Sequence, residues 1–171
     1  QVITRRHPQG AGTSEEDHEG DSSRLLVDDV IADAAFEQAL TRPESFDVIA
    51  TLNLNGDYLS DALTAQVGGL GMAPGVNQNF ETHTALFEAT HGTAPVLAGK
   101  NQANPCSLIL SGALMLRVLG WNEAAERVEE AIQSAVSAGQ VTADLARFMS
   151  EAHVLPTTEF GEALVRAMQN K

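Results

Sequence analysis

The chain has 171 residues, 43% of them hydrophobic, enough for one packed domain or parts of two. Its 23 acidic residues against 10 basic ones leave a net charge of −13, which argues against binding to nucleic acid or to an anionic membrane surface, since both want basic patches. One cysteine, Cys106, rules out an intrachain disulfide and fits a reducing compartment, and no apolar run approaches the ~20 residues of a membrane span. No secretory signal is visible either.

Residues 1–23 lack periodicity, and Ser14-Glu15-Glu16-Asp17-His18-Glu19-Gly20-Asp21 is polar, acidic and free of aromatics. Such a tract buries too little apolar surface to offset the entropy of ordering, so a disordered acidic leader is expected, with His7 and His18 solvated. From Arg24 the pattern changes. Leu25, Leu26, Val27, Val30, Ile31, Ala34, Ala35, Phe36 and Leu40 recur at helical spacing and predict a helix stopped by Arg42-Pro43. Asp33 lies within it, and a lone Asp on a helix is ordinarily a solvated residue.

The apolar run Asp47-Val48-Ile49-Ala50-Thr51-Leu52 predicts a buried strand leading into Asn53-Leu54-Asn55-Gly56-Asp57-Tyr58-Leu59-Ser60-Asp61-Ala62, the start of an amphipathic helix. Asp57 and Asp61 share one helix face there, with Cβ atoms roughly 5–6 Å apart and a mutual repulsion of roughly 0.2–0.5 kcal/mol. A hard divalent cation between them removes that repulsion, because Mg²⁺ and Mn²⁺ prefer carboxylate oxygen. Val67-Gly68-Gly69-Leu70-Gly71-Met72-Ala73-Pro74-Gly75 then reads as a helix stop, a short strand and a turn.

Residues 76–84 predict a polar loop containing His83. A strand, Ala85-Leu86-Phe87-Glu88-Ala89-Thr90, runs into His91-Gly92-Thr93-Ala94-Pro95. Glycine there lets backbone approach a ligand, Thr93 and free amides donate, and His91 adds charge, as a phosphate-binding turn requires. An ordinary strand-to-helix turn fits equally well. Asn104-Pro105 opens a helix that is apolar nearly all round from Leu108 to Leu119, so deep burial is expected, with Gly120 closing it. Asn122 is expected to cap an amphipathic helix over Glu123 to Ala138. Thr142 is expected to cap a short helix carrying Asp144 and Arg147, and Thr158 to introduce a terminal one. The resulting order, with four helices at the end, predicts an α/β fold.

From Leu26 onward these motifs closely resemble the C-terminal part of bacterial homodimeric isocitrate dehydrogenases, within the isocitrate/isopropylmalate dehydrogenase family. The matching stretches are Asp28-Asp29-Val30-Ile31-Ala32-Asp33-Ala34, Asn53 to Ala62, Gly68 to Gly75, Phe87 to Pro95 and Asn104-Pro105. The resemblance implies a partial α/β dehydrogenase fold, in which residues 24–67 are the end of a small domain and residues 68–171 are the C-terminal half of a large one. It implies that Asp33, Asp57 and Asp61 match three ligands of Mg²⁺ or Mn²⁺, with Asp33 serving the site of the partner subunit in a homodimer. It implies that His91, Gly92, Thr93, Ala94, Pro95, Val96, Leu97, Asn104 and Arg147 match the cofactor-binding positions. The activity implied is metal-dependent oxidative decarboxylation of isocitrate to 2-oxoglutarate, a cytoplasmic reaction of the tricarboxylic acid cycle, with the metal acting as a Lewis acid.

Two departures stand out. Val96 and Leu97 follow Pro95 where NADP-using members carry Lys-Tyr and NAD-using members an acid. Arg147 matches a position that pairs with the 2′-phosphate, while Ala143 replaces a Tyr that helps it, so the choice between NADP and NAD leans to NADP. The family's catalytic tyrosine and lysine, and its substrate-binding serine and arginines, lie upstream of the match. Lys100 and Lys171 are the chain's lysines and neither falls in a matching motif. The chain therefore reads as a fragment of the enzyme behind an unrelated or frame-altered leader, expected to lack catalysis by itself. The alternatives are a non-catalytic remnant or interaction module, or a 3-isopropylmalate or homoisocitrate dehydrogenase relative.

Overall fold

The computed structural model describes Val2–Arg5 and residues 27–169. The chain forms two compact units, one ending at Leu63 and the other starting at Thr64. In the first, β1 (Val2–Arg5), β2 (Val27–Val30) and β3 (Val48–Ala50) make a three-stranded sheet with β1 in the centre. Both pairings are antiparallel, Val2 facing Val30 and Ile3 facing both Asp29 and Ala50 across the ladder. Helix α1 (Ala32–Thr41) connects β2 to β3, and its Ala35 is fully buried against Val30, with Ile49 packed on them. The helix stops at Arg42, whose φ of −146° and ψ of 55° are non-helical, as the residue before a proline is pushed to be. Helix α2 (Asn53–Gln66) follows β3 and continues past Leu63 into the second unit.

Two expectations for this region are corrected. The helix anticipated from Arg24 begins only at Ala32, because Val27–Val30 is a strand. Its two valines are β-branched, its two aspartates are poor helix formers, and β1 offers a complete hydrogen-bond ladder. Val2–Arg5 supplies that ladder from a tract expected to be disordered, through a β-branched Val-Ile-Thr run. The rest of the anticipated leader, and Leu25 and Leu26, lie outside the described residues.

In the second unit a 3₁₀ turn over Leu70–Met72 precedes β4 (Pro74–Asn79), which pairs antiparallel with β5 (Thr84–Ala89). The loop anticipated over 76–84 is thus largely hairpin. Its Asn and Gln side chains mask the strand, since they are exposed and lack β-propensity. Asn79 Oδ1 accepts from the amides of Glu81 and Thr82 at 2.9 and 3.0 Å, and His83 takes a φ of 55°, which together turn the chain.

Helices α3 (Cys106–Val118), α4 (Asn122–Ser137) and α6 (Thr157–Gln169) enclose the larger core, centred on Cys106, Ile132, Leu155, Phe160 and Leu164. Between α4 and α6 lie β6 (Gln140–Val141), the single turn α5 (Ala143–Ala146) and β7 (His153–Val154), with β6 and β7 paired in parallel. Helix α3 is not the deeply buried element its composition suggests. Ser107, Ser111 and Ala113 are buried, whereas Leu108 is 61% exposed and Met115 40%. Helix α4 starts at Asn122 with Trp121 at the cap position, and no side chain bonds there. Helix α6 is fastened at its first turn: Thr157 N–H donates to the Asn101 carbonyl at 3.0 Å and Thr158 N–H to Asn101 Oδ1 at 3.1 Å. Asn101 Nδ2 donates in return to Thr158 Oγ1 at 2.9 Å. Among the described residues no helix is long and apolar enough to cross a membrane.

Candidate functional site

The paired aspartates lie on α2 in the first unit. Asp57 and Asp61 are both exposed, one turn apart on an uninterrupted helix, with Ser60 Oγ donating to the Asp57 carbonyl at 3.1 Å. Asp33 is exposed in the first turn of α1, where Oδ1 accepts from Ala34 N–H at 2.7 Å. Among the described residues no three His, Cys, Asp or Glu side chains gather closely enough to hold a metal ion. One chain thus brings Asp57 and Asp61 to a common face and leaves Asp33 apart from them. Two carboxylates fit a hard divalent cation as part of its shell, and an ion that takes about six oxygens needs the remainder from elsewhere.

The phosphate-turn candidate follows β5 in the second unit. Thr90 Oγ1 donates to the Ala73 carbonyl at 3.1 Å, tying the end of β5 to the start of β4. His91 is half-buried, and its Nδ1 donates to the Gly92 carbonyl at 2.9 Å. Gly92, Thr93, Ala94, Pro95, Val96 and Leu97 are exposed. A Cβ built on Gly92 meets nothing within 4 Å, so the protein itself sets no demand for glycine there. Ala94 has a φ of 41° and precedes the 3₁₀ turn Pro95–Leu97, with Leu97 N–H donating to its carbonyl at 2.9 Å. That left-handed geometry is uncommon outside glycine and gives the turn its sharp exit.

Asn104 closes the loop in a different manner. Its side chain is buried, Oδ1 accepts from Cys106 N–H at 2.9 Å, and Nδ2 donates to Asp144 Oδ2 at 3.0 Å while facing Met72 Sδ at 3.6 Å. Thr142 Oγ1, fully buried, donates to Asp144 Oδ1 at 2.6 Å. Thr142 therefore flanks α5 as expected, but its hydroxyl bonds a carboxylate instead of a backbone amide. Arg147 is exposed just past α5, its guanidinium 4.7 Å over the Phe148 ring. Burial and the nearby Asp144 carboxylate push the Cys106 thiol up to about 12.

Asp144 is the residue that sequence reading undervalued, since a charged side chain on a short helix reads as solvated. Thr142 two residues before it, a spacing suited to local side-chain bonding, is the signal that could have marked it.

Comparison with known proteins places these elements in context. Residues 11–164 match the family model described as isocitrate/isopropylmalate dehydrogenase. The isocitrate dehydrogenase [NADP] of Staphylococcus aureus strain MSSA476 is 46% identical over 169 residues, covering 99% of this chain and 40% of that protein. The enzyme of the same name from Pseudomonas aeruginosa strain UCBPP-PA14 is 54% identical over 144 residues, covering 84% of this chain and 34% of its own. The crystal structure of isocitrate dehydrogenase from Methylococcus capsulatus superposes with a TM-score of 0.74 at 40% identity, over 82% of this chain and 40% of that one. This chain thus spans about 40% of the length of the first of these relatives. The Staphylococcus alignment runs into the N-terminal tract, which corrects the expectation of an unrelated leader. Sequence and structural likeness agree on one assignment. The chain belongs to the isocitrate/isopropylmalate dehydrogenase family.

Proposed function

We propose that this chain supplies metal ligands and the cofactor-binding loop of an isocitrate dehydrogenase, which oxidises isocitrate and releases carbon dioxide to give 2-oxoglutarate. The observation that carries the reading is the exposed Asp57–Asp61 pair on one face of α2. Two like charges one turn apart weaken a helix, and a shared Mg²⁺ or Mn²⁺ reverses that cost. Asp33 of a second copy is the third ligand, which accounts for its separation from the pair within one chain and makes the working unit a homodimer with composite sites. When bound, the metal supplies Lewis-acid stabilisation of negative charge on the substrate's oxygens. The aspartates orient that ion and offset its charge next to a tricarboxylate.

NADP is the proposed cofactor. The names of the curated relatives support it, and so does Arg147, an exposed cation beyond α5 at the position suited to a 2′-phosphate. Gly92 supports a close backbone approach in the turn, because nothing in the protein occupies the space above it. The half-buried His91 ring and the exposed Thr93 complete the polar edge. The setting proposed is cytoplasmic.

The test is oxidation of isocitrate with Mn²⁺ by the full-length gene product, followed by reduced-cofactor absorbance with NADP and with NAD. Asp57→Asn is expected to lower turnover by about 10²-fold or more, as loss of a metal ligand does. Near-normal activity in that variant sinks the metal assignment. The 171-residue chain assayed in parallel is expected to give no isocitrate-dependent turnover.

A further inference from the structure

We propose that Asp144 is a positioning residue for cofactor selection, holding the Arg147-bearing turn against the end of the 91–104 loop through its bond to Asn104. The inference rests on the cofactor reading above and assigns a role to a residue outside the candidate ligand set.

The Asn104 side chain is committed inward at both ends. Its oxygen accepts from Cys106 N–H at the start of α3, and its nitrogen faces Asp144 and Met72. A flipped amide would place a donor against the Cys106 N–H and an acceptor against a carboxylate, so its orientation is fixed. Only the backbone of Asn104 remains for a ligand. The carboxylate of Asp144 is likewise used on both oxygens, by Asn104 at 3.0 Å and Thr142 at 2.6 Å.

The third side is closed as well. A Cβ on Gly71 would lie 2.9 Å from Asn104 Cβ and 3.1 Å from Asp144 Oδ2, so the 70–72 turn leaves the pair no room to swing. Arg147 follows Asp144 by less than one helical turn, and α5 is too short to hold itself. A carboxylate in direct contact with a phosphate would repel it, so the geometry gives Asp144 an indirect role.

The experiment is equilibrium binding of adenosine 2′,5′-bisphosphate and of 5′-AMP to the full-length gene product by titration calorimetry. The wild type is expected to prefer the bisphosphate by about tenfold or more, the range of a charge-assisted phosphate contact. Arg147→Ala is expected to bring that ratio near one. Asp144→Ala should do the same while 5′-AMP affinity stays within about threefold, and the double variant should lose no further selectivity. Asp144→Asn should retain the preference, since its oxygen can accept from Asn104 and its amide can donate to the Thr142 hydroxyl.

Selectivity intact in Asp144→Ala, or lost equally in Asp144→Asn, overturns the inference. So does a parallel gain in affinity for both nucleotides, which would mark simple removal of a repelling charge. Failure of the wild type to bind either nucleotide overturns the cofactor reading and this inference with it. Binding that Asp144→Ala leaves unchanged overturns the inference alone.

Discussion

Cys106 shows how far one side chain's chemistry is set by its surroundings. The thiol is fully buried in the core and lies near the Asp144 carboxylate, and together these raise it from an ordinary 9.0 to about 12. The folded state therefore holds its proton more tightly than the unfolded chain does. Its contribution to stability is complete below about pH 9 and is lost as pH rises from there towards 12. Urea denaturation across that window is expected to show a decline that Cys106→Ala flattens; an identical slope in the variant would remove Cys106 as its source. The same burial predicts slow alkylation at neutral pH, since the thiolate is the nucleophile.

Among the elements, the β4–β5 hairpin depends on α3 more than on its own strands, since two strands alone are marginal in water. Ser111, fully buried on α3, accepts from Gly75 N–H at 3.1 Å, and its single hydroxyl proton is shared between the Glu88 and Ser107 carbonyls, each 2.7 Å from Oγ. Ser107 Oγ donates to the Ala73 carbonyl beside it. Gly75 permits this closeness, because a Cβ there would lie 2.7 Å from the Glu88 carbonyl oxygen. Ser111→Ala strands the Gly75 N–H and weakens the hold on Glu88, and is expected to cost about 1–3 kcal/mol. A denaturation midpoint unchanged from wild type would mean that the hydroxyl is not the fastening. Legibility followed the same physics. The α2, α4 and α6 helices and the β5 strand were readable because the period of their side-chain pattern matches their environment, β5 alternating between exposed and half-buried positions. β2 and β4 were not, because their aspartates, Asn and Gln disfavour the strand state that pairing partners impose. Those partners are distant in sequence.

At the scale of the whole molecule, two opposing tendencies meet. Leu108, Met115 and Leu119 form an apolar stripe along the outer side of α3, each at least 40% exposed, while a net charge of −13 keeps copies apart. Salt shortens the range of that repulsion to about 8–10 Å at ordinary ionic strength. Sedimentation of the chain is therefore expected to show association that strengthens from low to moderate salt, and that Leu108→Glu with Met115→Lys abolishes. Association unaffected by those changes would locate it on another surface. The family was legible at this scale because its motifs are long and lie in one order. The arrangement around Asp144 was not, since Gly71, Asn104 and Thr142 meet it only through folding.

The clasp between Asn101 and α6 couples parts of the chain that share no strand or helix. Four hydrogen bonds join the last residues before Asn104 to the opening turn of α6, the fourth from Thr157 Oγ1 to the Ala103 carbonyl at 2.6 Å. Opening one without the other breaks all of them, so segment 101–104 and α6 should unfold as a single cooperative unit. The amides at the two ends of the clasp then report one opening free energy, although 57 positions of sequence separate Asn101 from Thr158. Helix α6 in this way sets how firmly the segment proposed above to bind the cofactor is held.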